Sequence, residues 1–177
     1  VSYDETRLRV CNTKVGGWIE DLLVDSEGVA VAEGQPLFTI YSPELYAAQE
    51  EYLLAYRNRA ATPELLESAR QRLRYFDVSD EQIASLEAAG KPSRTMTIHS
   101  PHSGVVVEKM FNEGARVDAG MAVYRLADLS RLWVNVTLFE YQLPFVKVGQ
   151  PAAMTLPFLP GQAFEGARGV AQRRRRV

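Results

Sequence analysis

The sequence predicts a modular α+β fold in which a small split β-sandwich carries an inserted α-helical hairpin and is followed by part of a β-barrel. Two glycine-punctuated half-motifs predict the sandwich, and a stretch of helical character between them predicts the hairpin. A short alternating segment after the second half-motif predicts the barrel fragment. The predicted domains are residues 9–42 with 94–128 for the sandwich, 43–92 for the hairpin and 129–170 with 1–8 for the partial barrel, and residues 171–177 are expected to be a disordered tail.

The two half-motifs share the spacing of their glycines and of the apolar residues that follow. The second and third glycines are six residues apart in both copies, and an apolar pair comes after the third at a matched distance. Glycine is the residue that suits a turn with positive φ or a close approach of two backbones. We therefore expect each copy to form short strands, and both copies together to form one flattened sandwich. The glycines are Gly17, Gly28 and Gly34 in the first copy and Gly104, Gly114 and Gly120 in the second.

The segment between the half-motifs has the start and stop signals of three helices. Ser42 is the cap, Pro43 the first helical residue and Glu44 the first-turn acid of the first helix. Residues 60–63 predict the turn to a second, antiparallel helix with Thr62 as its cap. A capping box at residues 79–82 predicts a short third helix that ends at Gly90 and Pro92. The insertion is therefore predicted to be a short three-helix unit, with the first and second helices forming a hairpin.

The segment after the second half-motif has strand-like pieces. Residues 132–138 alternate apolar and polar side chains, which predicts a half-buried strand, and residues 152–156 predict another. A turn is expected at residues 157–161. These strands are too few to close a barrel, so we predict only part of one.

Composition and charge exclude several classes of function. Four of the 20 basic residues form the run Arg173 to Arg176, and the rest of the chain has 16 basic against 22 acidic residues, a net charge of −6. This balance argues against nucleic-acid binding, which needs clustered Lys and Arg. The single cysteine, Cys11, cannot form an internal disulfide.

No grouping of residues typical of catalysis is found in the sequence. There is no Ser/His/Asp arrangement, phosphate-binding loop or pair of catalytic carboxylates, so we predict that the protein is not an enzyme. His99 and His102 are the only histidines and are the candidate metal ligands. A zinc or copper site needs three or four ligands, and no nearby Cys, Asp or Glu completes this pair. We expect no metal site here.

The half-motifs resemble those of the biotinyl/lipoyl fold. In carrier proteins of that family, a tight hairpin between the halves presents the lysine that receives the cofactor. Here the halves are separated by predicted helices, and no lysine occurs between Lys14 and Lys91. We therefore predict no cofactor, and a biotin or lipoyl carrier-like subunit is the less favoured alternative function.

Residues 41–53, 99–104 and 146–151 resemble segments of periplasmic adaptors, also called membrane fusion proteins, of RND-type efflux systems. The similarity is to the heavy-metal, CusB-like branch and extends over about residues 8–170. It implies an adaptor that links an inner-membrane RND transporter to an outer-membrane channel protein for export of heavy-metal cations, with self-association into a hexameric ring. It also implies a location in the periplasm, with attachment to the inner membrane through a segment that this chain lacks. An adaptor of another transporter class, for drug efflux or type I secretion, is an alternative with the same architecture.

The resemblance implies that the end of the helical hairpin docks on the outer-membrane channel. The residues that we assign to this docking tip are Arg57, Arg59, Thr62, Pro63 and Glu64. The two arginines are suited to charge-assisted hydrogen bonds with carbonyl or carboxylate groups of a partner. The alternative interpretation of these residues is a solvated helix end.

Overall fold

The computed structural model describes residues 2–156 and 163–167. Its backbone divides into two compact units, Val1–Val134 and Asn135–Val177. The turn predicted at residues 157–161 and the tail predicted at residues 171–177 lie outside the described residues.

The first unit contains short strands and three α-helices. Its strands before the helices are β1 (Ser2–Tyr3), β2 (Leu8–Asn12), β3 (Gly17–Leu22), β4 (Ala30–Val31) and β5 (Pro36–Tyr41). The helices are α1 (Pro43–Arg57), α2 (Pro63–Tyr75) and α3 (Asp80–Ala89). The strands after the helices are β6 (Thr95–His99), β7 (Gly104–Lys109), β8 (Arg116–Val117), β9 (Ala122–Ala127) and β10 (Leu132–Trp133).

The predicted α+β fold, a split sandwich with a helical insertion, is confirmed. Two four-stranded antiparallel sheets have the orders β2-β9-β7-β4 and β6-β5-β3-β8. Each sheet takes strands from both half-motifs, since β3 pairs with β5 of its own half and with β8 of the other. Neither half can therefore complete a sheet without the other, although the helices separate them in the chain.

The glycines of the repeat allow either a positive φ or a close approach of two strands. The second and third glycines of each copy adopt φ values between 78° and 86°, a region that other residues rarely adopt. The first glycines lie where strands approach closely. A Cβ on Gly17 would be 2.2 Å from the carbonyl oxygen of Tyr41, so β3 and β5 can pair at this distance only because the side chain is missing.

The core between the sheets is apolar. Ile19, Ile40 and Val123 are completely buried, and each contributes roughly 2 kcal/mol to folding by its removal from water. Tyr124 is also completely buried, and its hydroxyl donates a hydrogen bond to the carbonyl of Val24 (2.7 Å). This burial raises the pKa of Tyr124 to about 12.

The three predicted cap residues are at the N-termini of their helices, and two of them form side-chain capping bonds. The hydroxyl of Ser42 accepts a hydrogen bond from the backbone N–H of Leu45 (3.3 Å) at the start of α1. Ser79 and Gln82 form the predicted reciprocal capping box of α3, and Gly90 ends that helix in the left-handed conformation. Thr62 is at the N-cap position of α2 as predicted, but its hydroxyl makes no capping bond to the helix and donates back to the carbonyl of Asn58 (3.4 Å).

The three helices share a buried face. On α1 the buried side chains include Leu45, Ala48 and Tyr52, which belong to the apolar stripe expected from the sequence. Leu73 of α2 and Ile83 of α3 are completely buried. The stripe therefore packs the helices together.

The prediction of a strand over residues 132–138 is wrong for most of its length. Only Leu132–Trp133 form a strand, which pairs antiparallel with β1. Val134 and Val136 are 45% and 71% exposed. The alternation in the sequence is real, but the described pairing with β1 extends over two residues only.

The second unit contains a 3-10 helix (Glu140–Phe145) and a two-stranded antiparallel ladder of β11 (Pro151–Thr155) and β12 (Ala163–Ala167). Strand β11 corresponds to the strand predicted at residues 152–156. No closed barrel is present in the part of the chain that the structure describes. The division into domains proposed from the sequence stays a prediction.

Candidate docking site on the helical hairpin

The turn between α1 and α2 is closed mainly by Asn58. The backbone carbonyl of Asn58 accepts hydrogen bonds from the N–H groups of Ala61 (2.9 Å) and Thr62 (3.2 Å). Its side-chain amide donates to the carbonyl of Leu54 (3.1 Å) at the end of α1. Asn58 was not among the residues predicted to form the tip, although Asn at the end of a helix is a recognised stop signal.

Arg57 is bound within the chain. Its guanidinium donates from Nη2 to the carbonyl oxygen of Gly90 (2.8 Å), the residue that ends α3. This bond satisfies one of the carbonyl groups that the end of a helix leaves without a partner. Arg57 therefore connects the last turn of α1 to the end of α3.

Arg59 also folds back on its own turn. Its Nη1 donates to the carbonyl of Tyr56 (3.0 Å), and its guanidinium carbon lies 4.5 Å from the centre of the Tyr56 ring. A cation at this distance from an aromatic face is attracted by the electrons of the ring. The arginine is exposed, yet its position is restrained by two contacts.

The other three residues assigned to the tip are exposed at the start of α2. Thr62 contacts Asn58 as described above, and Pro63 is the first residue of the helix and has no N–H to donate. Glu64 forms no ion pair with any residue that the structure describes. Its carboxylate is therefore the one charged group of the predicted tip that is not used for an internal contact.

Two exposed leucines near the turn were missed by the sequence analysis. Leu54 is 61% exposed and Leu65 is 51% exposed. They place exposed apolar side chains on both sides of the turn. The signal for Leu54 was available, because it does not fall on the buried stripe of Leu45, Ala48 and Tyr52.

His99 and His102 lie away from the hairpin turn, in a cleft of about 560 Å³ between the sandwich and the end of α2. The Nδ1 atom of His99 is buried and has no hydrogen-bond partner among the described residues. Cys11 and Asp77 line the same cleft. Within the described part of the chain, however, no three His, Cys, Asp or Glu side chains are placed to hold a metal ion.

Two groups that line the cleft have raised pKa values. Burial raises the pKa of the Cys11 thiol, opposed by its contact with the Ser100 hydroxyl, which makes the reactive thiolate scarcer. Partial burial likewise raises the pKa of Asp77, and the charge of Lys14 opposes this shift. Asp77 itself has an unusual backbone, with φ at 61°.

The connection between the halves has no hairpin that could present a carrier lysine. Strand β5 ends at Tyr41, Ser42 follows, and α1 begins at Pro43. Ser42 is buried, with 1% exposure. Among the described helices, none has the length and apolar character needed to cross a membrane.

Comparison with known proteins supplies a family match and relatives. The model of the family described as "CusB, barrel-sandwich hybrid domain" matches residues 8–127. Cation efflux system protein CusB of Escherichia coli (strain K12) is 26% identical over 160 residues, which cover 90% of this chain and 39% of CusB. SilB of Salmonella typhimurium is 24% identical over 164 residues, which cover 93% of this chain and 38% of SilB. The chain thus spans about two fifths of the length of these relatives.

The fold is also similar to solved structures. The crystal structure of ZneB from Cupriavidus metallidurans matches with a TM-score of 0.55 and 24% identity, over 97% of this chain and 81% of ZneB. At this identity the likeness supports the fold alone. The family match is the more informative result, since residues 8–127 include both half-motifs and all three helices.

Proposed function

The chain belongs to the CusB family of membrane fusion proteins, and from this membership we propose that it is the central part of a periplasmic adaptor in a tripartite efflux pump. The resemblance predicted from the sequence is confirmed. In this proposal the adaptor links an inner-membrane RND transporter to an outer-membrane channel and associates with further copies in a hexameric ring. The protein works in the periplasm, attached to the inner membrane, and it is neither an enzyme nor a cofactor carrier.

The observation that carries the proposal is the position of the helical hairpin. The helices stand between two halves of a sandwich that close on each other through β3 and β8. The strand pairing of the sandwich therefore does not depend on the inserted helices, which supports a separate role for the hairpin in docking. We assign residues 43–92 to docking on the channel and residues 129–170 with 1–8 to the side that faces the transporter.

Within the hairpin, we propose residues 57–64 as the docking tip. The carboxylate of Glu64 and the neighbouring Leu65 are the groups best presented to a partner, because Arg57 and Arg59 already have internal contacts. The proposed role of the two arginines changes accordingly, from direct contact with the channel to support of the turn.

The proposed substrates are heavy-metal cations. CusB carries the name of a cation efflux system, and the family match places this chain with it. The described residues contain no cluster that could hold a metal ion, so we propose that this part of the adaptor couples the pump components and does not carry the metal.

Deletion and complementation in the native host would test this function. We expect loss of the full-length protein to lower tolerance to copper, silver or zinc salts, and expression of the full-length protein to restore it. Tolerance to drugs and detergents is the control for substrate class. Unchanged metal tolerance together with increased drug sensitivity would contradict the heavy-metal proposal and favour an adaptor of drug efflux.

A further inference from the structure

Gln49 is a buried polar residue of the hairpin. Its side chain is in the middle of α1 and is 1% exposed. The amide Nε2 donates to the carbonyl oxygen of Ser93 (3.1 Å), and Oε1 accepts from the backbone N–H of Ser93 (2.8 Å). One side chain therefore satisfies both backbone groups of a residue that lies just before β6. The amide of Gln49 is buried and would be costly without partners, so these two bonds restrain α1 relative to Ser93, in the connection that leads into β6.

Gln82 makes the corresponding connection from α3. Its Oε1 accepts from the N–H of Ser79 (2.9 Å) in the capping box, and its Nε2 donates to the carbonyl oxygen of Thr97 (2.8 Å) in β6. Strand β6 is the edge strand of its sheet. The amide of Gln82 therefore takes up a carbonyl group on the side of β6 that has no neighbouring strand.

The helix α3 is also bonded to the far end of α1. The hydroxyl of Tyr52 donates to the carboxylate of Glu87, and Arg57 donates to the carbonyl of Gly90. Helices α1 and α3 are thus joined to each other, and each is also bonded to the segment that enters the sandwich: α1 to Ser93 and α3 to Thr97 of β6. A rotation of the hairpin about its chain connections would have to break at least one of these bonds.

We propose that Gln49 and Gln82 are positioning residues that fix the direction in which the hairpin leaves the sandwich. This inference rests on the adaptor function, in which the docking tip must meet its partner. Helix α1 has 15 residues and is about 22 Å long, so a rotation of about 10° at its base moves the turn by roughly 4 Å. A displacement of that size exceeds the tolerance of a hydrogen bond, and the two amides therefore decide where the tip is presented.

The distance between the tip and the sandwich measures this effect directly. Spin labels are attached to A60C in the turn and E33C in the sandwich, in a C11A background, because Ala60 and Glu33 are exposed. Pulsed dipolar spectroscopy then gives the distribution of distances. The test variant is Q49M/Q82M, since methionine keeps the length of the side chain and its helix propensity but has no amide.

Two variants control for other effects of the substitutions. Q71M makes the same exchange in α2 at a glutamine whose side chain has no hydrogen bond to a described residue. S79A removes the capping hydroxyl of α3 but leaves the bond from Gln82 to Thr97. Circular dichroism and the unfolding midpoint show that each variant is folded. If the double variant does not fold, Q49M and Q82M are measured singly, and each is expected to broaden the distribution less.

The expected result is a narrow distribution for the parent, Q71M and S79A, and a distribution about twofold wider for Q49M/Q82M. An unchanged width in the double variant overturns the proposal, and so does equal broadening in the two controls. Cross-linking to the outer-membrane channel from A61C, at an exposed residue of the turn in the full-length adaptor, should fall in the double variant only. If the parent itself gives no channel cross-link, the adaptor function is wrong, while the distance measurement still decides whether the amides position the hairpin.

Discussion

The β-sandwich and the helical insertion of the first unit are held in different ways. In the sandwich, strands of the two half-motifs alternate within each sheet and the buried side chains are almost all apolar. The buried face of the insertion continues into the core of the sandwich, and the amides of Gln49 and Gln82 add directional polar bonds between the two regions. The sandwich is therefore specified by shape and backbone pairing, whereas we expect these polar bonds to set the direction of the helices. A substitution in the first region should change stability, and one in the second should change orientation.

The largest effect is expected from adding a methyl group between two strands of the sandwich. In Gly17→Ala, the Cβ would lie 2.2 Å from the carbonyl oxygen of Tyr41, so β3 and β5 would have to separate. We expect the free energy of unfolding to fall by about 3 kcal/mol. Urea unfolding followed by circular dichroism measures the change.

The neighbouring residue provides the matched control. A Cβ on Gly16 would be 3.6 Å from its nearest atom, the carbonyl oxygen of Val117, which is an ordinary contact. Gly16→Ala is expected to change the free energy of unfolding by no more than about 0.5 kcal/mol. If the two substitutions lower the free energy of unfolding equally, the close approach of β3 and β5 at Gly17 is not the cause of the loss.

A smaller effect is expected where a polar bond joins two helices. Tyr52 is 1% exposed, and its hydroxyl donates to Glu87; burial and this carboxylate raise the pKa of Tyr52. Tyr52→Phe keeps the ring and removes the hydrogen bond, so the free energy of unfolding should fall by about 1 kcal/mol. Phe substituted for the exposed Tyr75 is the control. A larger loss at Tyr75 than at Tyr52 would contradict the assigned role of the bond.

The two arginines of the turn should differ in their contribution to stability. Arg57→Ala removes the bond from α1 to the end of α3 and is expected to cost about 0.7 kcal/mol. Arg59→Ala removes contacts within one turn of the chain, and we expect a loss of about 0.3 kcal/mol. Chemical unfolding of both single variants checks the order. The reverse order would mean that the cation over the Tyr56 ring, and not the link to α3, holds the tip.

The sequence predicted the sandwich and the helices because each depends on local signals. The glycine spacing indicated where φ is positive, and the capping box at Ser79 and Gln82 indicated the start of α3. These signals operate within a few residues of the chain, so they can be read without knowledge of the fold. The repeat predicts that the two copies form one sandwich, but the pairing of β3 with β8 and its register are not encoded in the sequence of either copy alone.

The features that the sequence did not predict depend on contacts between distant residues. Arg57 and Gly90 are 33 positions apart, and Gln49 and Ser93 are 44 positions apart. A glutamine in a helix is usually a surface residue, and nothing in its neighbours reveals that both of its amide atoms are used inside the protein. The strand expected at residues 132–138 failed for a related reason, because alternation describes a strand only where a partner strand is present.

The smallest predicted effect concerns Asp77, at the corner between α2 and α3. Its φ of 61° is a conformation that Asn adopts more readily than most residues. Partial burial in the cleft raises its pKa, with Lys14 opposing, and Arg74, Asp80, His99 and His102 line the same cleft. A carboxyl whose folded-state pKa is raised destabilises the fold once it is charged. This penalty is absent below the ordinary pKa of Asp and appears as the pH rises through the folded-state value.

Asp77→Asn removes the charge and keeps the shape of the side chain. At pH 7 we expect a gain of roughly 0.3 kcal/mol in the free energy of unfolding, a small value because solvent screens an exposed carboxylate. At pH 3, Asp77 of the parent is neutral in both the folded and the unfolded chain, so the gain should disappear. Urea unfolding of the parent and of Asp77→Asn at both pH values measures the difference in their free energies of unfolding. The contributions of the other groups of the cleft are the same in both proteins and cancel in this difference. A gain of equal size at pH 3 would mean that the stabilisation comes from the backbone preference of Asn and not from removal of the charge. A loss of stability at pH 7 would show that the attraction of Lys14 outweighs the burial of the carboxylate.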